Sequence, residues 1–167
     1  MVLHGAGERG NDNEKQLTHG SKMFLSPENR TQYPAIVVFP QCPSNSFWAT
    51  SSIDRTKSPV QFRFNYDSIP NWPQAAANAL AKQLAIEESV DQSRIYITGL
   101  SMGGMGTFEI LRRRTKTFAA AFAICGGDNP ANAKKYIEFI EEHLGINVYL
   151  VSVGPERSQN IIRKELF

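Results

Sequence analysis

Residues 95–104 read IYITGLSMGG. A run of β-branched and aromatic residues ends in Gly-Leu-Ser-Met-Gly-Gly, which predicts a strand that turns sharply into a helix. Gly99 and Gly103 lie two residues before and two after Ser101, where they relieve the close backbone contacts of such a turn. The turn exposes the Ser101 side chain, and the helix N-terminus favours an oxyanion beside it. The alternative interpretation is a serine that only caps the helix.

Strand and helix patterns alternate around this turn. Apolar runs predict strands at residues 1–3, 35–41, 94–100, 118–127 and 146–154. Helices are predicted at residues 14–25, 74–90, 102–115, 129–145 and 158–167, and residues 42–71, rich in Ser, Asn and Pro, form a long surface excursion. Continuous apolar strands separated by amphipathic helices predict an α/β fold with a mostly parallel sheet of about five strands and helices on both faces. We expect residues 1–167 to form a single domain.

The composition excludes several classes of protein. The chain has 167 residues, 41% hydrophobic and 20% charged, with a formal net charge of +2. This charge is too small to indicate binding to nucleic acid or to an anionic membrane surface. Cys42 and Cys125 stand apart from any metal-binding pattern and are interpreted as small core residues. The first ten residues do not have the pattern of a signal peptide.

A second motif, LHGAGERG at residues 3–10, follows the first predicted strand. A strand end followed by His-Gly-x-Gly can turn a backbone N–H toward the serine. Ala6 is the expected donor and Met102 the second, so that their two amides form an oxyanion hole. Glu8 and Arg9 follow on the same rim, where they either bind substrate or pair with each other. His4 is expected to be a structural residue of the turn.

Three stretches together carry a resemblance to a known family: residues 3–24, 33–43 and 93–110. They resemble the α/β-hydrolase serine esterases related to feruloyl and acetyl-xylan esterases, polyhydroxybutyrate depolymerases and predicted peptidases. The resemblance covers roughly residues 2–135 and implies an incomplete α/β-hydrolase fold. It implies hydrolysis of carboxylic esters through an acyl-enzyme on Ser101, with oxyanion amides from Ala6 and Met102 and with no metal or organic cofactor.

The family's other two catalytic residues, an Asp and a His, have no clear counterpart. The resemblance fades from about Lys135 onward, and the chain looks like a family member shortened at both ends. His19 follows the oxyanion motif and is a candidate base, whereas His143 ends a predicted helix at the opposite edge of the sheet. Glu156 follows the strand where the family acid belongs and is the first candidate acid. Asp128 is the second, although capping the next helix explains it better.

Three hypotheses about function remain open. The first is a serine esterase that acts on small or carbohydrate-linked esters. The second is a non-catalytic remnant of the same fold without a working triad, and the third is a peptidase that acts on short acyl-peptides at the same site. Trp48, with Phe47 and Trp72, either lines a substrate pocket or packs the excursion. Sheet edges exposed by the missing strands predict a homo-oligomer.

Overall fold

The computed structural model describes residues 1–54, 56–57, 61–65, 67–87, 90–113, 117–127, 138, 142, 150–152 and 160–162. The chain forms two compact units, Met1–Gly127 and Asp128–Phe167. Each unit is described by itself below. That residues 1–167 form one domain stays a prediction.

A parallel sheet organises the first unit. It contains β1 (Val2–Leu3), β4 (Tyr96–Leu100) and β5 (Ala120–Ile124) in the order β1-β4-β5. Thr98 of β4 lies opposite Val2 on one side and Phe122 on the other. The prediction of an α/β fold with a mostly parallel sheet is confirmed, and the described part of that sheet has three strands rather than about five.

The predicted strand at residues 35–41 is not a strand in the structure. These residues are extended, and one backbone hydrogen bond joins them to β1, from the Val2 N–H to the Val38 carbonyl at 2.8 Å. Pro34 and Pro40 lack the N–H that a ladder needs, and β1 itself is only two residues long. A neighbour this short offers too few partners to form a regular strand pair.

Two long helices follow the predicted pattern. α3 (Trp72–Glu87) and α4 (Met102–Arg112) correspond to the helices predicted at residues 74–90 and 102–115. The helix predicted at residues 14–25 is broken instead into a 3₁₀ turn (Lys15–Leu17) and α1 (Ser21–Leu25), which α2 (Pro27–Gln32) follows. Gly20, at φ 85°, interrupts this segment because the left-handed conformation stops a helix.

The excursion at residues 42–71 is less superficial than its composition indicates. It contains an antiparallel hairpin of β2 (Ser51–Asp54) and β3 (Gln61–Phe64), and it buries Cys42, Trp48 and Ala49 almost completely. Glu109 of α4 is fully buried and accepts hydrogen bonds from the backbone N–H and the hydroxyl of Thr50 and from Arg113. This pairing fixes the excursion to α4.

The two faces of the parallel sheet differ in how they are covered. On one face, Leu3 and Ile97 pack with Trp48 and with Ile110 of α4 in the hydrophobic core. On the other, Tyr96 and Phe122 remain more than half exposed and line a cavity of about 950 Å³, together with Phe24 and Tyr33 from the segment of α1 and α2. None of the described helices is long and apolar enough to cross a membrane.

The second unit contains an antiparallel pair, β6 (Leu150–Ser152) and β7 (Asn160–Ile162). β6 falls within the strand predicted at residues 146–154, but the helix predicted at residues 158–167 is wrong where β7 lies. Of the helix predicted at residues 129–145, only residues 138 and 142 are described, and both are helical. The rest of that prediction lies outside the described residues.

Candidate active site

Ser101 occupies a strained turn between β4 and α4. Its backbone has φ 55° and ψ −112°, a conformation that L-residues rarely adopt. The Ser101 carbonyl accepts the first helical hydrogen bond, from the Met105 N–H at 3.0 Å, while its side chain makes no capping hydrogen bond and is exposed. The interpretation of Ser101 as a side-chain helix cap is therefore wrong, and the turn presents the hydroxyl to solvent.

The glycines around Ser101 are required by close backbone contacts. A Cβ on Gly99 would lie 2.1 Å from the Gly103 carbonyl oxygen, and a Cβ on Gly103 would lie 2.0 Å from the Leu3 carbonyl oxygen. Real Cβ atoms do not approach backbone this closely, so neither position accepts a side chain. The first contact closes the turn between β4 and α4, and the second brings the end of β1 against the start of α4.

The turn after β1 consequently lies beside Ser101. The position that a Cβ on Gly5 would take is 3.8 Å from the Ser101 Cβ and 3.6 Å from the Leu100 carbonyl oxygen. Ala6 is exposed and begins a 3₁₀ turn (Ala6–Glu8), while Met102 is buried as the first residue of α4. The two predicted oxyanion donors thus belong to adjacent segments, one on each side of the serine turn.

His4 is a structural residue of this turn. Its Nε2 lies 2.9 Å from the Cys42 backbone nitrogen, and its Nδ1 lies 2.6 Å from the Gly5 carbonyl oxygen. Since the Cys42 N–H can only donate, Nε2 is the acceptor, and the proton is on Nδ1, which donates to Gly5. Burial lowers the pKa of His4, against the smaller opposite effect of the Gly5 carbonyl. A buried neutral imidazole with both nitrogens occupied has no capacity to act as the base.

Trp48 does not line an open pocket. It is 1% exposed, its indole N–H donates to the His4 carbonyl at 3.1 Å, and its ring meets the His4 ring edge-on at 5.3 Å. This burial does not fit the predicted contact with substrate. Trp48 instead supports the turn that carries Gly5 and Ala6. Phe47 packs against the same core, and Trp72 is exposed at the start of α3.

Glu8 and His19 lie together on the rim of the site. The Glu8 Oε1 is 3.5 Å from the His19 Nε2, and the Glu8 side chain is 15% exposed compared with 59% for His19. The Glu8 Oε2 lies 3.0 Å from the position of a Cβ on Gly5, the position that also adjoins Ser101. Among the residues that the structure describes, this oxygen is buried without a hydrogen-bond partner. A carboxylate oxygen with unused acceptor capacity therefore faces the serine turn.

Arg9 turns away from Glu8. Its Nε donates to the Ala6 carbonyl at 3.0 Å, a terminal nitrogen donates to the Ser46 carbonyl at 3.3 Å, and its guanidinium lies 4.6 Å from the centre of the Phe47 ring. The contacts of Arg9 brace the oxyanion turn against residues 46–47. The structure thus separates two neighbours that the sequence left as a possible ion pair.

Sequence reasoning missed the residues that hold the Glu8 loop. The Gln41 side-chain amide donates to the Glu8 carbonyl at 3.1 Å and to Asp12 Oδ1 at 2.9 Å. Asp12 also accepts the backbone N–H groups of Glu14 and Lys15, and these hydrogen bonds, that of Lys15 foremost, hold its pKa far below the usual range. Asp12 can be recognised from the sequence, because an Asp commonly accepts backbone N–H groups from residues two and three positions later in a turn. No local pattern indicates the role of Gln41.

Three predicted residues lie outside the described part of the chain: the candidate acids Glu156 and Asp128, and His143. Within the described ranges, no three His, Cys, Asp or Glu side chains are grouped so that they could hold a metal ion.

Comparison with known proteins gives two different likenesses. Residues 73–145, which include the serine turn, match the prolyl oligopeptidase family. A solved crystal structure of a thermostable esterase is 39% identical, with a TM-score of 0.65, over 80% of this chain and 34% of the esterase chain. The parallel sheet, the serine turn and this structural likeness together define the class of the molecule, an incomplete α/β-hydrolase fold.

The second likeness is to adenylosuccinate synthetases. The enzyme of Alkaliphilus metalliredigens is 58% identical over 38 residues, and that of Clostridioides difficile is 58% identical over 40 residues. These matches cover 23% and 24% of this chain and 9% of each synthetase. The chain therefore spans about a third of the esterase and less than a tenth of the synthetases.

Proposed function

We propose that this protein is a serine hydrolase that cleaves carboxylic esters at Ser101. The observation that carries the proposal is the strained, exposed serine turn packed against the His4–Gly5–Ala6 turn. A protein maintains such backbone strain at sites where a side chain must be presented in one orientation. The likeness to a solved esterase and the match to the prolyl oligopeptidase family support the same chemistry.

The proposed reaction proceeds through an acyl-enzyme. The Ser101 Oγ attacks the ester carbonyl carbon while a base accepts the hydroxyl proton, and the carbonyl oxygen becomes an oxyanion. The backbone N–H groups of Ala6 and Met102 donate to that oxyanion, and the N-terminus of α4 adds favourable charge. The tetrahedral intermediate collapses, the C–O bond to the alcohol breaks, and the base returns its proton to the leaving alcohol. Water then gives a proton to the base and attacks the acyl carbon, and the Ser101 Oγ leaves with that proton as the acid is released.

For the base we propose His19, which the Glu8 carboxylate supports. The Glu8 Oε1 lies 3.5 Å from the His19 Nε2, so the carboxylate is placed to orient the imidazole ring. The His19 side chain is 59% exposed, which keeps it open to substrate and water. Glu156, the acid candidate that the sequence suggests, lies outside the described residues.

Glu8 is also the proposed contact for substrate. Its Oε2 accepts no hydrogen bond from the described residues and lies next to Gly5 and the serine turn. A hydroxyl group on the substrate, as in esters of carbohydrates, would supply the missing donor. Glu8→Gln should raise the KM for a glycerol or sugar acetate more than the KM for p-nitrophenyl acetate. An equal change for both substrates would remove Glu8 from substrate recognition.

The test of the proposed function is ester hydrolysis by the purified chain. We expect p-nitrophenyl acetate and butyrate to be hydrolysed, and the rate to collapse in Ser101→Ala while Ser52→Ala, a change at an exposed serine of β2, keeps the full rate. A weak rate that is equal in all three proteins would be the residual catalysis of an oxyanion hole without a triad, about 10³- to 10⁴-fold over water. The non-catalytic remnant would then be the correct description.

A peptidase is the second candidate, because the matched family is that of prolyl oligopeptidase. The same Ser101 site would attack an amide carbonyl, and the two candidates differ only in the leaving group. Acyl-alanine and acyl-proline p-nitroanilides, assayed beside p-nitrophenyl acetate, separate them. Higher kcat/KM on the anilides would favour the peptidase, and no release of nitroaniline would exclude it.

We further propose that the chain forms a homo-oligomer. In the described sheet β5 is an edge strand, and Phe122 on it is 65% exposed beside Tyr96 and Ile124. A strand at the edge of the described sheet, with exposed apolar side chains beside it, favours pairing with a second copy. Light scattering after gel filtration should give at least twice the chain mass, 18.6 kDa. A monomer at all concentrations would contradict the proposal.

A further inference from the structure

We infer that residues 128–167 are a segment of separate origin, of the adenylosuccinate synthetase type, joined to the hydrolase-like residues 1–127. The boundary of the two compact units falls between Gly127 and Asp128, directly after the turn that ends β5. The inference concerns how the molecule is built, and it stands whether or not Ser101 hydrolyses esters.

The lengths of the two likenesses support this division. The esterase likeness covers 80% of the chain, which leaves about 33 of the 167 residues. The synthetase likeness covers 38 to 40 residues, and the second unit, Asp128–Phe167, has 40. Placed end to end, matches of these lengths would account for the whole chain with an overlap of only a few residues.

The position of the synthetase-like part follows from what the first unit contains. Residues 2–10 form β1 and the turn beside Ser101, β1 pairs with β4, and β4 pairs with β5. Met1–Gly127 thus contains the described parallel sheet together with the serine turn. A stretch of about 40 residues similar to a different class of enzyme fits at the C-terminal end.

The strand pairing within the second unit supports a separate origin. An α/β-hydrolase-like continuation after β5 would supply a helix and then another strand parallel to β5. In the structure the described strands of the second unit, β6 and β7, pair antiparallel with each other, with Val151 opposite Ile161. The match to the prolyl oligopeptidase family continues past Gly127 but ends at residue 145, before either strand begins.

This origin has a consequence for catalysis. Glu156 and His143 lie in the second unit, so neither would be a member of the hydrolase triad. The proton transfers at Ser101 would have to be served by residues of Met1–Gly127. Glu8, whose Oε2 lies next to Gly5 and the serine turn, and His19, which lies beside Glu8, are acid–base groups that this unit offers.

A crystal structure of the full chain tests the inference directly. We expect residues 128–167 to superpose on the matched segment of the Alkaliphilus metalliredigens synthetase, with β6 and β7 antiparallel. Residues 146–154 forming a strand parallel to and paired with β5 would overturn the inference, since the second unit would then continue the hydrolase sheet.

Limited proteolysis of the full chain gives a second readout, because domain boundaries lie in exposed segments. We expect a stable fragment that ends close to Gly127, identified by its intact mass. Cleavage that instead begins within residues 1–127 while the boundary stays intact would contradict two separate units. Neither experiment depends on the activity of Ser101, so its outcome is distinct from that of the ester assay.

Discussion

Two turns at the carboxyl end of the parallel sheet have similar backbone angles but differ in the segments that follow and surround them. Ser101 follows β4 and Cys125 follows β5, and both have positive φ angles, 55° and 51°. The Ser101 N–H donates to the Ile124 carbonyl at 2.7 Å, so the two turns are joined. Only Ser101 begins a helix and lies against the Gly5 turn, whereas Cys125 leads into Gly126 and Gly127. A positive φ alone therefore does not distinguish the Ser101 turn; the helix and the neighbouring loop do.

The largest expected effect comes from the glycine that brings these parts together. Gly103→Ala would place a Cβ 2.0 Å from the Leu3 carbonyl oxygen and force β1 away from α4. We expect the free energy of unfolding to fall by roughly 3 kcal/mol or more, since overpacking against backbone cannot be relieved by a rotamer change, and ester hydrolysis to be lost. Urea unfolding and the p-nitrophenyl acetate rate measure the two effects.

Gly7→Ala is the matched control, since a Cβ on Gly7 would meet nothing within 4 Å. It should change the free energy of unfolding by less than about 1 kcal/mol. If Gly103→Ala is as stable as Gly7→Ala, the close packing of β1 against α4 is incorrect.

His4 is a second difference between the two turns. This buried histidine supports the Gly5–Ala6 loop beside the Ser101 turn, and among the described residues the Cys125 turn has no such histidine. His4→Ala leaves the buried Cys42 N–H without its acceptor, which costs roughly 1–3 kcal/mol of unfolding free energy. We also expect a lower hydrolysis rate, because the Gly5–Ala6 turn loses its anchor. Unchanged denaturant midpoints would show that the Cys42–His4 hydrogen bond contributes nothing.

The same histidine predicts a dependence on pH. Burial lowers the pKa of His4 in the folded chain below its ordinary value of 6.5. At a pH between the folded-state pKa and 6.5, His4 is protonated in the unfolded chain and neutral in the folded chain. The free energy of unfolding should therefore fall as the pH drops below about 6.5. His4→Gln should flatten this part of the stability curve. A curve that falls equally in His4→Gln would assign the dependence to other groups.

The smallest expected change in stability comes from placing glycine at the positive-φ position of each turn. Glycine adopts positive φ freely, so Ser101→Gly and Cys125→Gly should each raise the free energy of unfolding by about 1 kcal/mol. Only Ser101→Gly should abolish ester hydrolysis, because Cys125 has no part in the proposed reaction. Loss of activity in Cys125→Gly at unchanged stability would mean that both turns serve the site.

Much of the Ser101 turn could be predicted because its determinants are local. The strand, the flanking glycines and the helix lie within residues 94–112, and the structure has each of them. The unfavourable contact that makes Gly103 necessary is with Leu3, about a hundred residues away. A sequence pattern identifies such a glycine but not its partner.

The remaining features depend on contacts between distant parts of the chain. The polar composition of residues 42–71 indicates a surface segment, yet Trp48 is buried because the His4 carbonyl and the core receive it. The approach of His19 to Glu8 depends on the break at Gly20 and on the loop that Gln41 holds. The sequence does not predict the antiparallel pairing of β6 and β7, because the few apolar residues of 158–167 (Ile161, Ile162, Leu166 and Phe167) are spaced in a way that a helix also accommodates.

The most direct test of the central claim is covalent labelling of Ser101 by a fluorophosphonate, followed by peptide mass spectrometry. A serine reacts with this reagent when a base and an oxyanion hole activate it. If Ser101 is such a nucleophile, we expect one phosphonate per chain, on the peptide that contains Ser101, and none on Ser101→Ala. No labelling of the folded wild-type chain, or equal labelling of Ser101→Ala, would contradict it.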